Sequence, residues 1–311
     1  MKLWMWIVSL LIAGLLAELV LRFGYGFGRP PLYVGDPSIG YRLVPNQQVR
    51  RFGNRIFINQ YSMRSGEISP LPAPDRFRLL LLGDSLANGN WWTDQANILS
   101  ELIARDLQPM LPAPYAKVEP LNASANSWGP RNQLAYIQRY GTFGAITLVL
   151  LLNTDDLFGT QPTDLQVGKE RSYPDCNPPF AIAELLDRLV KRSSSIPGLE
   201  DIQNEGGDRV GKNLSAIDLI HQQAAAEKAK FLLVLSPLRR EIPIPRDYEI
   251  EARARLQNWT AENNVPYTDL LSTFQEHPNV DSLYRDHIHL SPAGNQLVSS
   301  RIASEIVLLF P

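Results

Sequence analysis

From Arg76 onward the chain alternates short, almost uninterrupted apolar runs with longer stretches whose apolar residues recur every three or four positions. The apolar runs at 77–82, 116–121, 145–152, 231–235 and 266–270 read as buried strands. The stretches at 94–107, 131–140, 214–228, 248–262 and 292–309 read as amphipathic helices. Strands that are apolar on both faces need cover on both faces, so this order predicts a parallel sheet between helical layers. No internal repeat interrupts it. One interval breaks the rhythm: residues 154 to 213 hold several prolines, "SSS" at 193–195, "EGG" at 205–207 and one helical piece at 180–192. An insertion of this length after a central strand reads as a substrate cap or as an ornament away from the substrate.

Two segments precede the alternation. Leu3 to Leu21 is apolar except for Ser9 and Glu18, and 19 helical residues span roughly a bilayer's hydrocarbon core. Trp4 and Trp6 at one end and Tyr25 and Phe27 at the other suit the two interfaces. Residues 1–25 are therefore expected to be an uncleaved anchor; the rival is a signal peptide, whose apolar region is shorter and ends in a small-residue cleavage site. Lys2 and the amino terminus balance Arg22 and Arg29, so charge assigns no orientation. Residues 26–75 form a proline-rich lead-in, with seven of the 24 prolines between Pro30 and Pro74, which excludes a long helix there. Within it "VRRFGNRIFI" predicts a hairpin turning at Gly53-Asn54.

Composition narrows the function. With a net charge of −2 and scattered basic residues, nothing suggests a nucleic-acid partner. The single cysteine, Cys176, excludes an internal disulfide and a thiolate metal cluster.

The first strand ends in "GDSLANG", placing Asp84 and Ser85 at its tip. These residues are either an ordinary helix cap or a serine nucleophile at the carboxyl edge of a parallel sheet, where ligands of open α/β folds bind. A nucleophilic serine needs a base, and the base an orienting acid. His221 lies mid-helix beside two glutamines, and His277 has no acidic neighbour suitably spaced. "RDHIHLSPAGNQL" offers Asp286, His287 and His289. In Asp-x-x-His a turn brings the carboxylate to one imidazole nitrogen and leaves the other facing outward. The same residues also read as a metal site, but no further His or Cys cluster completes a ligand set, so neither metal nor cofactor is expected.

"GDSL" at 83–86 with Gly89, together with "DHIH" and the trailing "LSPAG", resembles the SGNH/GDSL hydrolase superfamily over about residues 76 to 311. "INQYSMRS" at 58–65 resembles the Asn-x-x-Gly-x-Arg lead-in of its membrane-tethered bacterial members, with Ser62 in place of glycine. The resemblance implies a flavodoxin-like three-layer α/β/α sandwich with a central parallel sheet, preceded here by a transmembrane helix. It implies Ser85 as nucleophile on an ester carbonyl, His289 as general base and Asp286 as its partner. The α/β-hydrolases share the chain order Ser, Asp, His but carry G-x-S-x-G, and Ala87 stands where their second glycine would be.

The family's oxyanion hole joins the nucleophile's own N–H to a glycine N–H after the second strand and an asparagine side chain after the third. In "LNASANSWGPRNQ" the glycine position falls on Ser127, whose N–H can serve where its backbone angles allow. In "LLLNTDDLFG" the asparagine position falls on Asp155, whose carboxylate would repel an oxyanion, and Asn153 two residues earlier is the expected donor. N-x-S/T sequons begin at Asn122, Asn213 and Asn258. The sequence thus predicts a membrane-held, extracytoplasmic serine esterase acting on an ester-bearing small molecule, a lipid or an acylated glycan. An O-acyltransferase on a surface polysaccharide and a catalytically silent surface protein are the alternatives.

Overall fold

A computed structural model describes residues 2–111, 113–190 and 195–310. It opens with a long apolar helix, α1 (Lys2–Leu19), that runs on as a π-helical turn over Val20–Tyr25. The lead-in follows as two antiparallel hairpins, β1 (Tyr33–Asp36) with β2 (Gly40–Leu43) and β3 (Gln47–Arg51) with β4 (Asn54–Ile58). The alternating part then runs β5 (Arg76–Gly83), α2 (Ser85–Asn88), α3 (Leu99–Leu107), β6 (Lys117–Ser124), α4 (Pro130–Tyr140) and β7 (Thr147–Asn153). The insertion carries α5 (Ala181–Val190) and α6 (Leu199–Gln203). The remainder is α7 (Arg209–Ala226), β8 (Lys230–Ser236), α8 (Asp247–Glu262), β9 (Tyr267–Asp269), α9 (Leu271–Gln275) and α10 (Pro292–Leu308).

The five strands β5 to β9 form one parallel sheet in the order β6-β5-β7-β8-β9. This is the doubly wound order of flavodoxin-like folds. Its chain direction reverses beside the first strand, which opens a crevice at that strand's carboxyl end. Alternate residues of the strands fill two cores. Leu80, Leu82, Leu148, Leu150, Leu233 and Leu235 face one side with Tyr136, Ile137, Ile217 and Leu256 of α4, α7 and α8. Leu79, Leu81, Val149, Leu151, Leu232 and Val234 face the other with Leu99, Ile103, Val298 and Ile302 of α3 and α10.

The lead-in is not a loose linker. Tyr33, Ile39, Tyr41, Leu43, Ile56, Ile58 and Met63 belong to the first of these cores. The second hairpin turns one residue earlier than expected, at Phe52-Gly53, with φ of 46° and 86°. Such a turn requires left-handed backbone at both central residues. Phe52 adopts it while its ring lies against Tyr25, Phe27 and Trp91. The helix expected over 94–107 is interrupted at Ile98, which is extended between a short 3-10 turn capped by Asp94 and α3. α7 starts at Arg209 rather than 214, because Asp208 accepts the Gly211 N–H and caps it there. The helical piece expected at 180–192 is observed to Val190; its last two residues and the first two serines of "SSS" lie outside the described residues.

Candidate active site

β5 delivers Ser85 to the crevice through a turn that only a small residue permits. A Cβ on Gly83 would lie 2.8 Å from the Ala87 Cβ and 3.0 Å from the Leu151 carbonyl oxygen. Asp84 caps the short helix α2, its carboxylate accepting the Leu86 N–H at 2.8 Å, and Ser85 becomes that helix's first residue. The helix-cap and nucleophile readings of this corner therefore describe the same geometry.

The histidine comes from the far end of the chain. The loop before α10 folds so that Asp286 Oδ1 accepts the backbone N–H groups of Ile288 and His289 at 2.9 and 2.8 Å. This leaves Asp286 Oδ2 at 2.8 Å from His289 Nδ1, while His289 Nε2 lies 3.0 Å from Ser85 Oγ. Burial would raise the Asp286 pKa, but the two N–H groups and the imidazole outweigh it and hold the carboxyl below its usual range. The Trp92 indole and the His289 ring meet edge to face with their centroids 5.0 Å apart, and the Arg285 guanidinium lies over the same indole. His287 does not converge on the site. Its side chain is 84% exposed, with Nδ1 4.0 Å from Asp286 Oδ1. Among the other histidines, His221 lies against Phe231 and Trp259, and His277 Nδ1 accepts the Asn279 N–H in its loop.

Asn153 ends β7 and is buried. Its amide nitrogen donates to Asp84 Oδ2 at 2.9 Å and to Asp156 Oδ2 at 3.0 Å, and its carbonyl caps the next turn by accepting the Asp155 N–H. Asp84 Oδ2 is in turn 3.4 Å from Ser85 Oγ. Burial pushes the Asp84 carboxyl up to about 6, although its bond from Leu86 and the nearby His289 work the other way. Asp156 is raised well above the usual range by burial and by the charge of Asp84. Asp155 points elsewhere, its carboxylate at 3.1 Å from Arg240 on the exposed side of the loop.

Ser127 has φ of 58°, the left-handed backbone that glycine adopts without strain. Ser62, the other serine standing where the resembled motif has glycine, has φ of 63°. Both positions keep the glycine conformation with a serine in it. The Ser127 hydroxyl accepts from Tyr173 at 2.9 Å, and the neighbouring Asn126 carbonyl accepts from the Tyr41 hydroxyl at 2.5 Å. The insertion and the lead-in thus meet on the same turn.

Arg64, from the lead-in motif, is fully buried beneath the loop that follows Ser85. Its guanidinium donates to the carbonyls of Asn88 and Thr93, each at 2.5 Å, and to that of Asn90. Burial lowers its pKa to about 9. The sequons at Asn122 and Asn213 are fully buried, with Asn122 Nδ2 donating to the Ala87 carbonyl at 2.7 Å. Among the described residues no three His, Cys, Asp or Glu side chains are grouped to hold a metal ion.

Ser85 and His289 open into a cleft of about 940 Å³. Tyr33 and Ile56 from the lead-in, Trp91 and Trp92 from the loop after Ser85, and Phe158 and Tyr173 from the insertion line it. The sequence pointed to neither Trp91 nor Trp92 and gave Asp156 only the reading of a helix cap; the aromatic pair just after the GDSL block was the visible signal for the first two.

A model of the GDSL-like lipase/acylhydrolase family matches residues 81–297. The chain belongs to this family. Solved structures similar to this hydrolase include a lipase/acylhydrolase from Enterococcus faecalis, 18% identical, with 75% of this chain and 96% of that one covered and a TM-score of 0.45. An acetyl xylan esterase is 14% identical, with 74% and 99% covered and a TM-score of 0.47. A psychrotrophic esterase from Pseudoalteromonas sp. is 14% identical, with 75% and 98% covered and a TM-score of 0.44. No curated protein matches the chain.

Proposed function

We propose that this hydrolase cleaves carboxylic esters through an acyl-Ser85 intermediate. The observation that carries the reading is the continuous relay from Asp286 Oδ2 to His289 Nδ1 at 2.8 Å and from His289 Nε2 to Ser85 Oγ at 3.0 Å. His289 takes the Ser85 proton as Oγ bonds to the ester carbonyl carbon, then gives it to the departing alcohol. Water, deprotonated by the same nitrogen, releases the acid and restores Ser85. Asp286 fixes the tautomer and steadies the imidazolium. The oxyanion is met by the N–H groups of Ser85 and Ser127 and by the Asn153 amide, which gives up one of its carboxylate contacts to do so.

The chain is further proposed to consist of an anchor over residues 1–25, the lead-in over 26–75 and the catalytic part over 76–311, held at the cell membrane with the catalytic part outside the cytoplasm. α1 and its π-helical turn support the anchor, forming one apolar helix over Leu3–Tyr25 with length and composition sufficient to cross a membrane.

Fluorophosphonate labelling of the full chain in detergent tests the chemistry. The probe should bond to Ser85, and Ser85→Ala and His289→Ala should each abolish labelling and reduce ester turnover by about 10⁴-fold or more. His287→Ala should keep most of both. Labelling that persists in Ser85→Ala, or equal loss in His287→Ala, would overturn the assignment.

A further inference from the structure

Helix α5 is built inside out for a protein surrounded by water. On a helix, Ile182, Leu186, Leu189 and Val190 share one face, and Ala181, Glu184 and Arg188 lie opposite. In a water-soluble domain the apolar face turns inward. Here the charged face does so: Glu184 is buried, its carboxylate accepting from Arg51 Nη2 at 2.6 Å, the Gly28 N–H at 2.6 Å and Arg188 Nε at 2.9 Å. Apart from the half-buried Ile182 the apolar face is left bare, with Leu186 53%, Leu189 73% and Val190 77% exposed, and Phe180 just before the helix is 62% exposed.

The amino-terminal end of α5 is fastened to α1. Glu18 accepts the first N–H groups of α5, those of Ala181 and Ile182, at 2.9 and 3.0 Å, and is paired with Arg22 at 2.8 Å. These are the donors that a helix start leaves without partners, and a carboxylate is the group that suits them. Glu18 lies within the apolar span Leu3–Tyr25, so the start of α5 is level with the last turns of that span. A membrane that takes up the whole of this span therefore reaches the start of α5 as well. The junction is rigid on the other side too, since Arg51 Nη1 donates to the Gly26 carbonyl at 2.9 Å and the Phe52 N–H to that of Tyr25 at 2.9 Å.

We infer that the bare face of α5 lies in the interfacial layer of the lipid bilayer beside α1, so that the catalytic domain is held against the membrane at two points rather than swinging from one. The inference rests on the reading of α1 as an anchor. An amphipathic helix seated in this way turns its apolar face to the acyl chains and keeps its charges toward the protein or water. The cleft that holds Ser85 also includes Arg188 of α5 in its wall, so its outer end opens beside the lipid surface. Such a placement suits an ester that is itself carried by a lipid or a membrane-bound glycan.

Spin labels test the inference on the full chain in vesicles of phosphatidylcholine and phosphatidylglycerol. The free, exposed Cys176 is first replaced (Cys176→Ser), and single labels are attached through Leu10→Cys, Leu189→Cys and Ile244→Cys. All three parent side chains are exposed, so the labels need no space in the core, and thermal melting checks that each variant is folded. Collision with oxygen should dominate over collision with a water-soluble nickel chelate at Leu10 and, by several-fold, at Leu189, whereas the chelate should dominate at Ile244. If Leu189 behaves like Ile244 while Leu10 stays in lipid, the anchor stands and the inference fails. A Leu189 label shielded from both reagents would mean that protein, such as a second copy of the chain, covers the face, and would overturn it. Chelate access at Leu10 would overturn both readings.

Discussion

The Asn153 amide donates to the Asp84 carboxylate at 2.9 Å, which ties the end of the central strand β7 to the residue immediately before Ser85. A change at either residue is therefore felt at Ser85, and the effect divides according to what each group does. Asn153→Ala should lower kcat by about a hundredfold or more with little change in KM, as for loss of a contact made only in the transition state. Asp155→Asn should leave both constants within a factor of about two, since a partner on the exposed side of a loop contributes little. Steady-state kinetics on one soluble ester checks the pair.

Asp156 faces Asp84 across the same amide, and its burial sets a pH dependence. A carboxyl whose folded-state pKa is raised adds stability that is fully present below its ordinary value of about 4 and is lost as pH rises through the raised value. Asp156→Asn keeps an oxygen for the Asn153 donors and removes the charge. The variant should therefore melt a few degrees above the parent at mildly alkaline pH. The gain should shrink as pH falls and vanish below about 4. Melting curves across that range read it directly; a constant gain at all pH values would show that the charge is not the cause.

Ser127 separates backbone from side chain. If its N–H is what the oxyanion meets, Ser127→Gly should retain most of the turnover. Ser127→Ala keeps the left-handed strain and loses the Tyr173 contact, and should be less stable than the glycine variant by about 1 kcal/mol. Paired measurements of turnover and melting temperature test this.

Arg64 satisfies three backbone carbonyls below the loop that follows Ser85. Lysine, a compact charge without the planar fork, cannot span them. Arg64→Lys should cost on the order of 2–4 kcal/mol in unfolding free energy, because at least two buried acceptors lose their donor. Turnover at low temperature, where the variant stays folded, should fall as well, since the loop carrying Ser85 is no longer braced. Denaturant melts and single-temperature kinetics separate the two effects.

The sheet was legible in the sequence because its strands are buried on both faces: β5 carries Phe77 and four consecutive leucines, a run without any competing helical period. The convergence of Ser85, Asp286 and His289 was legible because each stands in a short local pattern, at the start of α2 and in the loop before α10. What escaped was set by contacts distant along the chain. The first hairpin, β1 with β2, is short and has no Asn-Gly signal, and Tyr41 secures it through distant Asn126. Glu184 looks like an ordinary surface residue in sequence, and only the arrival of Arg51 shows that its helix is turned round. Asp156 reads as a helix cap, and its second role depends on Asp84, which β5 brings beside it.

Ser85 and His289 are 204 residues apart, and α10, which follows the histidine, is the last element of the described chain. That helix reaches α3 through Ser299 and Gln296, which bond to Asp106 at 2.9 and 3.0 Å. A chain made from its amino terminus thus displays Ser85 204 residues before it acquires the imidazole that packs beside it. A product that stops before the loop preceding α10 would carry Ser85, its cap and most of the cleft lining, yet not the imidazole that lies 3.0 Å from the serine hydroxyl. On the proposed mechanism the order of translation therefore sets when Ser85 meets its base: a fragment that stops before His289 has none.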